Sequence, residues 1–389
     1  MAYVARNHQI FQNFIKNTKF FIIPCQALGL ITFSYNNKSL QLSKVLQFLN
    51  IFRMCFLTTM LGYTAYSFVV VTGDKISKTA NFLALVSGGV YCYVVWINAI
   101  LQNRKMIDFF ARVVDFDSKI RSFNWTSENY EHNKKKMARR VIVKFLFLLS
   151  YILFYGISDT RVTQLHQMVA QQGNFSMLVM NASVCLYTNE LVLMLRSRFA
   201  ILNREIEKIV TYFHGVHTVD KNNQTQKRVA DFGKICTLHH HLQKLVKLFN
   251  KIFGVTLLLM FGFNFVMITM TLFFTSGELH DPNVNLSNVL YVLMMSVSYV
   301  LDSWTICDSC YFAIEEAKKA GVLMHKIETD NPDLIDEIEM FSLQIANEQV
   351  DFSAAGFFPI NYTLVFSIIG GVTTYIIILI QLAATLKEQ

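Results

Sequence analysis

The chain has 389 residues, 53% of them hydrophobic, with 34 phenylalanines and only 16% charged, whereas soluble domains carry about 25% charged residues. That composition excludes a disordered, collagen-like or disulfide-scaffolded chain. It also weighs against a soluble enzyme domain, on which so much apolar bulk would form large exposed patches. The formal net charge is +8, but the cations sit in blocks between apolar stretches, so the partner they imply is a lipid bilayer and not a nucleic acid.

Residues 1–47 read as a cytoplasmic N-terminus. Within them Phe20 to Phe33 is apolar but contains Pro24 and is too short to cross a bilayer, which predicts an interfacial or re-entrant helix. Lys16 and Lys19 precede it and no small-residue cleavage site follows, so it does not read as a signal peptide. A membrane span needs about 20 mostly apolar residues. Seven windows qualify: Phe48 to Val71, Thr79 to Leu101, Val141 to Val162, Phe175 to Leu195 with a polar helical entry from Gln164, Ile252 to Ser276, Ser287 to Cys310, and Phe357 to Ala384. All are expected to be helices, because lipid cannot satisfy open backbone groups and no alternating ten-residue pattern marks a barrel. Pro359 falls at the start of the last window, and the other three prolines lie outside the windows.

Segments 1–47, 102–140, 196–249 and 311–350 hold 28 of the 35 lysines and arginines. Such residues stay preferentially in the cytoplasm. The expected fold is therefore an all-α membrane protein with seven transmembrane helices, N-terminus inside and C-terminus outside. The G-protein-coupled receptors place the N-terminus outside. The chain also has no Asp-Arg-Tyr after its third span and no Asn-Pro-x-x-Tyr in its seventh. A transporter reading would call for internal repeats, and none is visible.

The inner segments carry apolar stripes at helical spacing. These are Phe199, Leu202, Ile206 and Ile209; Ile235, Leu238, Leu242 and Leu245; and Ile338, Phe341, Ile345 and Phe352. They predict that spans four to seven continue as helices into a cytoplasmic anchor, covered either within one subunit or by copies of the same chain, with Pro359 and the residues around Gly356 breaking span seven from its extension as a pivot. The expected organisation is residues 1–47, then spans one to six over 48–310 with the ligand pocket, the anchor helix over 311–353, and span seven with the tail over 354–389.

No phosphate loop, nucleophile elbow or zinc-protease helix appears, so no enzyme reading and no cofactor follow. Cys307-x-x-Cys310 reads as packing at the inner end of span six. His239, His240 and His241 are consecutive and point in different directions on a helix, so they do not read as a metal site. Polar groups inside spans raise a functional hypothesis. Glu190 and Asp308 lie near inner ends and read as structural. Tyr151, Tyr155 and Asp159 stack on span three; Asn264, Met267 and Thr271 on span five; Tyr291, Met294, Ser298 and Asp302 on span six. Aromatic walls with a few polar groups suit a small-molecule pocket, and ordinary interhelical bonding would use the same residues. On span seven Thr374, Ile378, Gln381 and Thr385 share one face, so symmetry copies would stack them as rings that wet or dewet a conduit.

Span seven also carries a resemblance. Thr374-Tyr375, five hydrophobic residues, then Gln381 and Leu382, preceded by Gly356-Phe357-Phe358, Thr363-Leu364 and Gly370, resemble the insect gustatory receptor signature of Thr-Tyr, five hydrophobics, Gln, Phe. Leu382 stands where that signature has Phe. The resemblance implies a ligand-gated, non-selective cation channel in the plasma membrane of sensory dendrites, a homotetramer or a hetero-oligomer with other such receptors. It further implies a pore lined by span seven, with Gln381 and Leu382 near the outer mouth, and a tastant pocket among spans two to six. The Tyr- and Met-rich stripes favour a bitter or plant-derived compound. A sugar or polyol, whose hydroxyls need dense polar partners, is the alternative, and a non-conducting co-receptor subunit would carry the same sequence features.

Overall fold

In the computed structural model the apolar runs become long helices around one buried core. The structure describes residues 8–36, 39–70, 75–123, 125, 130–158, 165–215, 222–279 and 286–387. In chain order these form α1 (His8–Ala27), β1 (Phe33–Asn36), β2 (Ser39–Leu42), α2 (Lys44–Val70), α3 (Lys75–Leu101), α4 (Asn103–Ser122), α5 (Tyr130–Ser158), α6 (Leu165–Gly215), α7 (Asn222–Leu279), α8 (Leu286–Met324), α9 (Pro332–Asn347), β3 (Ser353–Ala354), β4 (Phe358–Pro359) and α10 (Tyr362–Lys387).

Six of these helices, α2, α3, α6, α7, α8 and α10, are long and apolar enough to cross a membrane, and the protein is a multi-pass membrane protein. The predicted third span is α5. Its first turns are basic and it lies along α8 and α6. Ile142, Val143, Phe145 and Leu146 point outward from it. The expected helical continuations of spans four, five and six are present. Helices α6, α7 and α8 run 51, 58 and 39 residues without a break, far more than about 20 residues of bilayer thickness requires. Their predicted stripes are core: Phe199, Leu202, Ile235, Leu242 and Leu245 are all at most 1% exposed.

Three expectations need correction. The apolar stretch from Phe20 is the end of a longer helix, α1, which starts at His8 and keeps Pro24 inside it. After Ala27 the chain turns into the β1–β2 hairpin, with Phe33 opposite Leu42. Span seven does not begin at Phe357; the break expected around Gly356 and Pro359 is present, but as a hairpin and not as a kink in one continuous helix. Phe358 and Pro359 pair with Ala354 and Ser353, and Ala355 and Gly356 between them have φ of 52° and 79°, which a helix cannot contain. The helix α10 therefore starts only at Tyr362. Finally, residues 103–122, read as part of an inner loop, are the helix α4, whose buried face of Met106, Phe109, Phe110, Val113 and Ile120 joins the core.

The β3–β4 hairpin is fastened to α7. Asn250 donates from Nδ2 to the Asp351 carbonyl (2.9 Å) and accepts from the Ser353 amide (3.3 Å). Phe352 packs edge-on against Phe249 at 5.4 Å. A side chain at Gly254 would stand 2.8 Å from the Ala355 nitrogen, so the close approach requires glycine there. Ahead of the hairpin in the chain, α9 starts on Asn331, whose Oδ1 accepts from the Leu334 amide, with Pro332 in its first turn.

Candidate functional site

Two regions carry the predicted site residues. The first lies where α3, α5, α6, α7 and α8 converge. The Tyr151 and Tyr291 hydroxyls are hydrogen-bonded to each other, with ring centroids 4.7 Å apart. Phe175 of α6 stacks on Tyr151 at 5.8 Å and 12°. Next to this, Tyr91 of α3 stacks on Phe263 of α7 (5.2 Å, 10°), which meets Tyr299 of α8 edge-on at 5.6 Å. Gly88 permits the close packing of α3, since a Cβ there would meet the Met177 Sδ at 2.2 Å.

Asp302, Asn264 and Ser298 are buried here, at 1%, 0% and 0% exposure. Lys144 of α5 donates to Asp302 Oδ1 at 2.5 Å and Asn181 of α6 to Oδ2 at 2.9 Å. Asn264 donates to Ser303 Oγ at 2.9 Å, and Thr271 bonds the Met267 carbonyl one turn back. These contacts are the interhelical and backbone bonding that the same residues allowed. A different set of atoms is left open. Tyr91 Oη, Tyr299 Oη, Ser298 Oγ, Asn181 Oδ1 and Asn264 Oδ1 are buried without a hydrogen-bond partner, an arrangement that costs stability unless water or a ligand fills it. Met294 is half-buried on α8. Tyr155 is on α5 with its side chain outside the described residues, and Asp159 lies outside them altogether.

Sequence reasoning did not single out Tyr91, Tyr299 or Lys144. Tyr299 follows Tyr291 by eight residues, which is the helical repeat that would have revealed it. The partner of Asp302 is 158 residues away, and no local pattern links them. Two further ion pairs join helices below this region. Arg140 holds Glu190 through both oxygens at 2.5 and 2.6 Å. Arg198 holds Asp117 of α4 at 3.0 and 2.6 Å.

The second region is α10. It rests chiefly on α7 and α8, with Tyr375 edge-on to Phe265 at 5.7 Å. Thr374, Ile378, Gln381, Leu382 and Thr385 are all exposed on the chain's surface. At its base, Tyr362 donates to Asp308 Oδ1 at 2.5 Å and packs against Trp304 and Tyr311 at 5.5 and 4.8 Å. Asp308 lies on the same helix as Asp302, six residues along. Cys307 and Cys310, one turn apart there, are fully buried thiols.

A family model described as 7tm chemosensory receptor matches residues 18–385. Two similar proteins come from Drosophila melanogaster. Gustatory receptor for bitter taste 66a is 25% identical over 43% of this chain and 33% of its own. Gustatory receptor for sugar taste 43a is 28% identical over 38% and 35%. The chain thus spans about a third of the length of each of these relatives. Among solved structures, the insect olfactory receptor OR5 from Machilis hrabei, in complex with eugenol, shares the fold. Its TM-score is 0.63 at 13% identity, over 94% of this chain and 98% of that one.

Proposed function

The chain belongs to the 7tm chemosensory receptor family, a family of receptors and not of enzymes, and from that premise we propose that it is a gustatory receptor working as a tastant-gated, non-selective cation channel. The observation that carries this reading is the exposure of α10. A span-length helix that leaves Thr374, Ile378, Gln381 and Thr385 uncovered along one face is matched to a conduit shared with further copies. A symmetric homotetramer supplies it, or a hetero-oligomer with related subunits. In that assembly the Ile378 and Leu382 rings dewet the pore and block ions, and a small rotation that brings Gln381 and the threonines inward wets it. The protein sits in the plasma membrane of a sensory neuron, N-terminus inside, as its lysine and arginine distribution supports.

The tastant occupies the space among Tyr151, Tyr291, Met294, Ser298, Asn264 and Tyr299, with Asp302 forming its floor through Lys144 and Asn181. The stacked aromatics favour a bitter or plant-derived compound. Sugar or polyol is the second reading, favoured by the five buried polar atoms left without partners. Capture is passed along α8 to Asp308 and through Tyr362 to the base of α10. The test is to express the chain alone in a heterologous cell and record current against bitter, plant-derived and sugar panels. Tastant-evoked cation current supports the reading. Surface-expressed protein that conducts to no panel member, alone or with related subunits, overturns it.

A further inference from the structure

On the basic side of the bundle, α1, α5 and α6 enclose a cavity of about 410 Å³, away from the aromatic cluster. Five cations line it, Lys134, Lys136, Arg140, Arg196 and Arg198, against two carboxylates, Glu190 and Glu316. Both carboxylates are engaged: Glu190 by Arg140, and Glu316 by the Asn203 amide at 2.8 Å. Arg198 is held by Asp117, and Arg196 lies over the Phe312 ring at 5.0 Å. Among the described residues no ion pair neutralises Lys134, Lys136 or Arg196. One acceptor completes the set. Asn17 of α1 lines the same cavity at 9% exposure, and its Oδ1 has no hydrogen-bond partner.

The depth of this cavity follows from its walls. Helix α1 buries Phe14 and Phe21 toward the bundle and turns Lys16, Lys19, Phe20 and Ile23 outward, the pattern of a helix lying in the membrane interface. Helix α5 changes beside the cavity from the basic Lys134–Arg140 stretch to the outward-facing Ile142, Val143 and Phe145. The cavity is therefore level with lipid headgroups. Three cations without counter-charge beside a buried acceptor match a multivalent anion that also carries hydroxyl donors.

We propose that this cavity binds the headgroup of a phosphorylated inositol lipid of the cytoplasmic leaflet. The phosphates sit on Lys134, Lys136 and Arg196, a ring hydroxyl donates to Asn17 Oδ1, and the acyl chains leave along the apolar face of α5. The inference rests on the orientation proposed above, with the basic side inside. It does not depend on conduction.

The test is binding of phosphatidylinositol 4,5-bisphosphate to the purified full chain, measured by native mass spectrometry and by titration in nanodiscs. Phosphatidylserine and soluble inositol 1,4,5-trisphosphate are the comparison arms. One bisphosphate lipid per chain is expected, bound about tenfold or more tightly than either. Lys134→Ala with Lys136→Ala lowers that affinity about tenfold or more. Lys134→Arg with Lys136→Arg preserves it, and so does Lys135→Ala, on the same helix but exposed and outside the cavity. Equal loss in Lys135→Ala, no preference over phosphatidylserine, or soluble trisphosphate binding as tightly as the lipid each overturns the proposal. A silent channel with intact lipid binding would count against the channel reading alone.

Discussion

Replacing Lys144 by Met tests the polar centre of the bundle directly. The Asp302 side chain is 2% exposed and Lys144 16% exposed, with Nζ 2.5 Å from the carboxylate. Without Lys144, a buried carboxylate keeps only neutral neighbours, the Asn181 amide at 2.9 Å and the Cys185 thiol. Breaking a buried pair by removing one partner costs about 3–5 kcal/mol, because the remaining charge is left uncompensated. The reverse change, Asp302→Asn, strands Lys144, which is partly exposed and can turn its ammonium toward water along its flexible stem. It also leaves an amide that still bonds Asn181, so the expected cost is only about 1–2 kcal/mol. The double variant removes both charges and should recover most of the loss, so the two single effects fail to add by roughly 2 kcal/mol or more. Unfolding free energies from denaturant titration in mixed micelles give all four corners of the cycle. If the double variant loses the sum of the single losses, or if Lys144→Met alone is harmless, the pair does not hold α5, α6 and α8 together as described.

The remaining predictions concern coupling, permeation, binding and direction. Tyr362→Phe removes the bond to Asp308 while keeping the ring packed on Trp304 and Tyr311. A charge-assisted bond at a half-buried site is worth about 1.5 kcal/mol, so the tastant concentration for half-maximal current should move about tenfold, and an unmoved dose–response curve would disconnect α8 from α10. Gln381→Ala should change basal current or relative cation permeability, and identical currents at equal surface density would take α10 out of the pore. Asp302→Asn should shift tastant potency more than maximal current; a normal curve would remove Asp302 from the pocket. A C-terminal tag should be reached by antibody on intact cells, and staining that needs permeabilisation would reverse the proposed orientation.

The helices that cross the bilayer were legible because hydropathy and length alone decide them, and the inner stripes on α6 and α7 were legible because a buried helical face repeats at fixed spacing. A break near Gly356 and Pro359 was legible too, but the start of α10 at Tyr362 was not. Phe357 and Phe358 are as apolar as the helix that follows, and only the left-handed backbone at Ala355 and Gly356 stops them from joining it. Helix α4 was hidden for the opposite reason, since Arg104, Lys105, Asp108 and Arg112 surround its apolar face and read as a loop. The site was half legible. Tyr151 and Tyr291 were singled out from separate spans and meet, and Asp302 was flagged as costly to bury. That its cost is met by Lys144, and that Tyr91 and Tyr299 pack into the same cluster through Phe263, depends on contacts between distant segments that no local spacing encodes.

The break between α9 and α10 has a mechanical consequence. Two short strands and a pair of left-handed residues join the two helices, and Asn250 fixes that joint to α7. Torsion in α10 is therefore absorbed at the joint and not carried down into α9. In the oligomeric channel proposed above, that joint would separate the contacts between subunits from the movement of the pore wall.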